Sequence, residues 1–161
     1  MCKRNSKPLK FDLVNLRVTK IFDFETAHAL WGYDGKCANI HGHSYKLTVS
    51  ITGPIIDDNS AVKNGMIIDF SDLKKIINTA VVDRFDHVLL VNGNTPHAKY
   101  AEVESGFSKI ILCEYQPTCE NMLVDMVGRI LSDLPKGIEL KYCKLQETDN
   151  SFAEWFQVDN L

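Results

Sequence analysis

The chain has 161 residues, enough for one domain with a sizeable core, and we expect residues 11–161 to form that domain behind a loose tail at residues 1–10. A composition of 45% hydrophobic and 24% charged residues is typical of soluble globular proteins, and no apolar run reaches the length of a membrane span. The net charge of −3 disfavours a general nucleic-acid binder, which carries a basic face, but it is compatible with a small anionic substrate.

The cysteines indicate a reducing compartment. There are five, an odd number, at scattered positions and without a CxxC pair. Disulfide frameworks and structural zinc sites both use more regular spacings. The basic N-terminal residues lead into no apolar signal core. We therefore expect a cytoplasmic protein.

The first half of the chain alternates apolar and polar residues in several places. Residues 11–27 are predicted as one long strand or a bent pair of strands, and residues 28–40 as a loop. A strand is expected at residues 44–52, with a short return strand at residues 65–69 that completes an antiparallel hairpin. Ser71 is the predicted cap of a helix over residues 72–82.

The second half adds a helix and three strands. The polar stretch at residues 92–109 is predicted to be an irregular insertion, followed by a short apolar strand at residues 110–113. Thr118 is expected to cap a second helix that ends near residue 134. Strands are predicted at residues 138–146 and 152–158. This order predicts an α+β domain, an antiparallel sheet with two helices on one face.

The motif Cys37-Ala-Asn-Ile-His41-Gly-His43 carries the strongest chemical signal. Residues two apart in a strand share a face, so His41 and His43 project together. His28 supplies a third imidazole, and three ligands leave a fourth position open, as in a catalytic zinc site. All-nitrogen ligation favours zinc, with iron, nickel or cobalt as alternatives. Incidental clustering of the histidines is the competing interpretation.

Other polar residues have two interpretations each. Cys37 is either a small buried residue or, beside Lys36 and the expected cation site, a thiolate that acts as base or nucleophile. Asp86 and His87 form a dyad only if the chain bends between them, because adjacent strand residues point apart. The insertion histidine, His97, is predicted to be solvated.

Three further residues have simple structural explanations. Glu147 fits an exposed strand end, and helix capping explains both Thr118 and Glu120.

Six motifs in order resemble the 6-pyruvoyl-tetrahydropterin synthase / 6-carboxy-tetrahydropterin synthase family, from about residue 18 to residue 158. They are Phe22-x-Phe24-x-x-Ala27-His28, Cys37-x-x-x-His41-Gly-His43, Gly65-Met-Ile-Ile-Asp69-Phe-x-Asp72-Leu-Lys74, Phe85-Asp86-His87, Pro117-Thr118-x-Glu120-Asn121 and Gln146-Glu147-Thr148. The resemblance implies a tunnelling fold, with two helices on a four-stranded antiparallel sheet. It also implies barrels built by joining subunits, hexamers built from two trimers, and active sites between subunits.

The same resemblance implies roles for individual residues. His28, His41 and His43 would hold zinc, and Cys37 would be the base that removes a proton from 7,8-dihydroneopterin triphosphate. Asp86 and His87 would form a relay, and Glu147 would grip the pterin ring. The helix residues Thr118 and Glu120 would line the same pocket.

The family has two branches. Three residues separate Cys37 from His41, and this compact spacing resembles the carboxy enzymes, which release acetaldehyde and triphosphate on the way to queuosine. The sequence therefore favours a zinc-dependent lyase that makes 6-carboxy-5,6,7,8-tetrahydropterin. A pyruvoyl synthase of the tetrahydrobiopterin pathway and a non-catalytic pterin- or metal-binding module are the alternatives.

Overall fold

The computed structural model describes residues 15–102 and 109–160, so the predicted tail and part of the 92–109 insertion lie outside the described residues. The strands are β1 (Val18–His28), β2 (His41–Thr52), β3 (Val88–Asn92), β4 (Ile110–Cys113), β5 (Glu139–Thr148) and β6 (Ser151–Phe156). The helices are α1 (Phe70–Ile77), α2 (Asp83–Phe85) and α3 (Cys119–Asp133). A π-helical stretch (Asn78–Val82) joins α1 to α2, and short 3₁₀ turns occupy Lys36–Ala38, Pro96–Glu102 and Gln157–Asp159.

The described strands form one sheet in the order β4-β3-β1-β2-β5-β6. Neighbouring strands among β1, β2, β5 and β6 are antiparallel, as predicted, whereas β3 and β4 extend the sheet beside β1 in parallel. The predicted α+β class is confirmed, but the sheet has six strands rather than four. β3 is almost entirely buried, the continuous apolar pattern that parallel strands show.

The core lies between one face of the sheet and the two longer helices. β2 sends Tyr45, Leu47, Val49 and Ile51 into it, all without solvent exposure. The helices cover this layer with residues at three- and four-residue spacings, namely Leu73 and Ile77 from α1, and Met122, Met126 and Ile130 from α3. The apolar face of β2 therefore continues directly into the histidines at its start.

The predicted hairpin with residues 65–69 is wrong. Both edges of β2 are occupied, by β1 on one side and β5 on the other. The returning segment instead bonds locally to Ile56, whose amide donates to Met66 and whose carbonyl accepts from Gly65. With no free edge of β2 available, residues 65–69 remain irregular.

Of the two predicted helix caps, Thr118 is confirmed and Ser71 is wrong. The carboxylate of Asp69 accepts from the Ser71 amide at 2.6 Å, so Asp69 and not Ser71 caps α1. Thr118 caps α3 as predicted, accepting from the Asn121 amide at 3.3 Å. No helix among the described residues is both long and apolar enough to cross a membrane.

Candidate active site

Three histidines converge where β1 ends and β2 begins. The antiparallel register places His28 opposite His41, and Thr26 opposite His43. One nitrogen from each of the three imidazoles lies within 4.8 Å of the other two. His28 is only 2% exposed, and His41 and His43 are half-buried. This group can bind a metal ion.

Backbone carbonyls fix the tautomers of two of these imidazoles. Nδ1–H of His28 donates to the Pro117 carbonyl at 2.7 Å, and Nδ1–H of His41 donates to the Asn39 carbonyl at 2.8 Å. Each neutral ring then presents an unprotonated Nε2, and these two atoms are 3.1 Å apart. Such second-sphere bonds are typical of metal-binding histidines.

A divalent cation suits this arrangement well. Two lone pairs that face each other at this distance repel unless a proton or a metal ion lies between them. Burial lowers the pKa of His28, which disfavours the protonated alternative. Three neutral imidazoles are donors that suit zinc and several other divalent metals.

Glu147 reaches the histidines from β5. Its Oε1 lies 3.7 Å from Nε2 of His28 and 3.9 Å from Nε2 of His43. The Tyr45 hydroxyl donates to the same oxygen at 2.8 Å. Burial is the main cause that raises the pKa of Tyr45, and the neighbouring carboxylate adds to it, so the phenol remains a donor to Glu147.

The sequence interpretation missed Tyr45. The signal was present, because Tyr45 continues the two-residue alternation of His41 and His43 along β2. Its ring meets His43 edge-on at 5.6 Å between centroids and His28 at 6.2 Å. Tyr45 therefore forms the apolar floor of the histidine group while its hydroxyl holds Glu147.

Cys37 lies in the loop that joins the two histidine-bearing strands. It is half-buried in the turn Lys36–Ala38. The Leu30 amide donates to the Cys37 carbonyl at 2.9 Å, which closes the loop on itself near the end of β1. The thiol therefore lies on the loop that directly links His28 to His41.

Asp86 and His87 form a hydrogen-bonded pair, with Nδ1 of His87 2.9 Å from Oδ1 of Asp86. His87 has a φ of 55°, in the left-handed region, and this bend is what lets adjacent side chains meet. Both backbone groups of Glu25 hold the pair, the amide donating to Oδ1 of Asp86 at 2.9 Å and the carbonyl accepting from the His87 amide at 2.7 Å. The Glu25 amide is the main cause that lowers the pKa of Asp86, and His87 adds to it.

The imidazole of the dyad faces a surface cleft. His87 lines a cleft of about 470 Å³ together with Glu25, His43, Ser44 and Lys109. Within the described ranges, no hydrogen bond or ion pair connects Asp86 or His87 to Cys37. The dyad has a largely exposed imidazole that is free to act on a group brought to this cleft.

The remaining predicted residues lie at the start of α3. Thr118 follows Pro117, the residue whose carbonyl holds His28, and its hydroxyl oxygen caps the helix. Glu120 is exposed in the first turn of α3. Both residues are therefore on the segment that supports the histidine group.

The prediction for His97 was wrong. His97 is 7% exposed and packs against Trp31 and Tyr100 instead of facing solvent. Cys113 and Cys143 are buried in the core as small apolar residues, and burial raises the pKa of Cys143 to about 12.

Sequence comparison finds related pterin enzymes. A 6-carboxy-5,6,7,8-tetrahydropterin synthase of Haemophilus influenzae is 35% identical, over 86% of this chain and 97% of its own length. A protein of Archaeoglobus fulgidus described as a putative 6-carboxy-5,6,7,8-tetrahydropterin synthase is 33% identical, over 81% of this chain and 87% of its own.

Solved structures share the fold. An uncharacterized protein from Wolinella succinogenes superposes with a TM-score of 0.71 at 17% identity, covering 89% of this chain and 99% of its own. The 6-pyruvoyl tetrahydropterin synthase of Caenorhabditis elegans gives 0.62 at 22% identity, covering 91% and 99%. The 6-pyruvoyl tetrahydropterin synthase family model matches residues 17–157, nearly all of the described chain. The chain belongs to the 6-pyruvoyl tetrahydropterin synthase family.

Proposed function

We propose that the protein is a zinc-dependent lyase that converts 7,8-dihydroneopterin triphosphate to 6-carboxy-5,6,7,8-tetrahydropterin, with release of acetaldehyde and triphosphate. The observation that carries this proposal is the meeting of three imidazoles, each offering one nitrogen within 4.8 Å of the others, beside the carboxylate of Glu147. A metal ligand set next to a pterin-binding carboxylate, with a thiol on the adjoining loop, is what such an enzyme needs.

The three histidines would hold the metal. A bound zinc ion supplies a Lewis acid that polarises the side-chain hydroxyls of the substrate and acidifies the neighbouring C–H and O–H groups. The carbonyls of Pro117 and Asn39 keep two of the ligands in the tautomer that presents Nε2. Burial lowers the pKa of His28, which favours the neutral form that binds a metal.

Glu147 would anchor the pterin. The amino-pyrimidinone edge of a pterin offers paired N–H donors, as a guanidinium does, and a carboxylate accepts such a pair. Tyr45 restrains Oε1 of Glu147, so the carboxylate is held in place before the ring arrives. Thr118 and Glu120, at the start of α3, would line the same pocket.

Cys37 would act as the base that removes a proton from the substrate side chain, supported by Asp86 and His87. Among the described residues of one chain, the dyad makes no hydrogen bond or ion pair with Cys37, so we propose that it is contributed by a neighbouring subunit of a hexamer made of two trimers. The exposed imidazole of His87 suits transfer of a proton to a group outside its own chain. The enzyme would act on a small molecule in the cytoplasm.

The carboxy product is favoured over the pyruvoyl product by two observations. The spacing Cys37-x-x-x-His41 is compact, and relatives at 33–35% identity carry the carboxy name. The product would enter the queuosine pathway. The pyruvoyl synthase remains the second candidate because the family model carries that name.

Incubation of the zinc-loaded protein with 7,8-dihydroneopterin triphosphate tests the proposal. Mass spectrometry identifies the pterin, and a coupled alcohol dehydrogenase assay measures acetaldehyde. We expect a carboxy-pterin and acetaldehyde in equal amounts. A pyruvoyl-pterin without acetaldehyde would support the second candidate, and unchanged substrate with bound zinc would indicate a binding module.

A further inference from the structure

The chain just after His28 is covered by residues from β3, from β4 and from the connection between them. Ala29 is buried in a small cluster with Leu89 and Val91. Tyr100, from the turn Pro96–Glu102, and Ile110, from β4, pack against this cluster. The insertion whose role the sequence left open thus supports the start of the loop that carries Cys37.

Gln116 clamps the next part of this loop. Its Oε1 accepts from the Trp31 amide at 3.3 Å, and its Nε2 donates to the Trp31 carbonyl at 2.8 Å. The amide side chain therefore satisfies both backbone groups of one loop residue, as a neighbouring strand would. Gln116 directly precedes Pro117, whose carbonyl holds His28. One segment fixes a metal-site histidine and the loop together.

His97 supports the Trp31 ring from the insertion. The two rings meet edge to face, with centroids 5.0 Å apart and an interplanar angle of 87°. Tyr100 lies on another side of the imidazole, with centroids 5.4 Å apart. Aromatic contacts of this kind stabilise beyond simple burial. His97 is 7% exposed, so its position is determined by packing.

We infer that His97 and Gln116 are positioning residues that fix the Cys37 loop, residues 29–40, through Trp31. Residues 31–36 of this loop are exposed, and two glycines, Gly32 and Gly35, lower its intrinsic order. Leu30, the neighbour of Trp31, donates its amide to the Cys37 carbonyl, so holding Trp31 in place also restrains the backbone that bears the thiol. The functional consequence rests on the proposed role of Cys37, whereas the ordering of the loop does not.

Hydrogen exchange and alkylation of the zinc-loaded protein test this inference. The variants are Trp31→Ala, Gln116→Ala and His97→Ala, with His97→Phe as the conservative change and Gln157→Ala as a remote control. In the three alanine variants, we expect exchange in peptides from residues 29–38 and iodoacetamide modification of Cys37 to become about tenfold faster. His97→Phe keeps the ring contact and Gln157→Ala lies elsewhere, so both should match the wild type.

Activity gives a further readout. If Cys37 is the base, the alanine variants lower kcat, while KM changes less than about twofold and zinc content is unchanged. Exchange and alkylation at wild-type rates in Gln116→Ala, or in a folded His97→Ala, would overturn the inference for that residue, and wild-type rates in Trp31→Ala would overturn it for both. If His97→Ala does not fold, Gln116→Ala decides, since it removes only two hydrogen bonds. A wild-type protein without turnover would refute the proposed function alone, because exchange and alkylation need no substrate.

Discussion

Replacing Tyr45 with phenylalanine removes one hydroxyl from the floor of the site and leaves the fully buried ring in place. The hydroxyl donates to Oε1 of Glu147 at 2.8 Å. No cavity forms, so the change reports on the hydrogen bond and not on packing.

The expected magnitude follows from the charge and exposure of the acceptor. A hydrogen bond to a charged group contributes about 1.5–3 kcal/mol net. The Glu147 side chain is 23% exposed, so water can replace part of the lost donor. We therefore expect the free energy of unfolding to fall by about 1–2 kcal/mol, which lowers Tm by roughly 2–8 °C for a chain of this size. The KM for the pterin should rise about fivefold or more, because Glu147 is less restrained.

Guanidinium denaturation in the presence of a chelator measures the stability without a contribution from metal binding. Tyr142→Phe is the matched control, since the Tyr142 hydroxyl donates to an exposed carboxylate, Glu154, at 2.7 Å. We expect this control to change stability by less than about 0.5 kcal/mol.

A double-mutant cycle with Glu147→Ala, which removes the acceptor, measures the coupling energy between Tyr45 and Glu147. A coupling energy near zero, or a loss in Tyr45→Phe no larger than in Tyr142→Phe, would refute the reasoning that the buried hydroxyl holds Glu147.

Four further predictions concern the site and its support. Cys37→Ala should keep bound zinc and lose at least about 100-fold in turnover, measured by metal analysis and the acetaldehyde assay, and full activity would remove the proposed base. His41→Ala should lose zinc, and an unchanged metal content would exclude it as a ligand. Burial lowers the pKa of His28, so as pH falls through about 6.5 the unfolded chain gains a proton that the folded metal-free protein lacks, and stability decreases. Between about pH 7.5 and 5.5, the free energy of unfolding measured by denaturation should therefore change less with pH in His28→Gln than in the wild type. An equal pH dependence in the two proteins would contradict this cause. Thr118→Ala should destabilise the protein by about 1 kcal/mol through loss of the α3 cap, whereas Thr118→Ser should not, and equal stability of both variants would contradict capping.

Local patterns in the sequence predicted part of the site well. The two-residue period of His41 and His43 depends only on strand geometry, so their shared face was predictable. The α3 cap at Thr118 was predictable because capping involves only a residue and its near neighbours in sequence. Asp69 shows the limit of this approach, because both Asp69 and Ser71 are good caps and only the backbone conformation decides between them.

Contacts between distant segments could not be predicted in this way. Tyr45 and Glu147 are 102 positions apart and meet only because β5 pairs with β2. The bend at His87 depends on the Glu25 carbonyl, which accepts from its amide across the β1–β3 edge. His97 was assigned to solvent because its neighbours are polar, yet Trp31 and Tyr100 bury it.

The sequence by itself determined the donor types, their spacing along β2 and the family, because these depend on residue identity and backbone period. Only the tertiary structure decided which carbonyls set the imidazole tautomers, which hydroxyl restrains Glu147 and what fixes the Cys37 loop. Those contacts depend on strand register and on packing between segments far apart in the chain, and no local period encodes them.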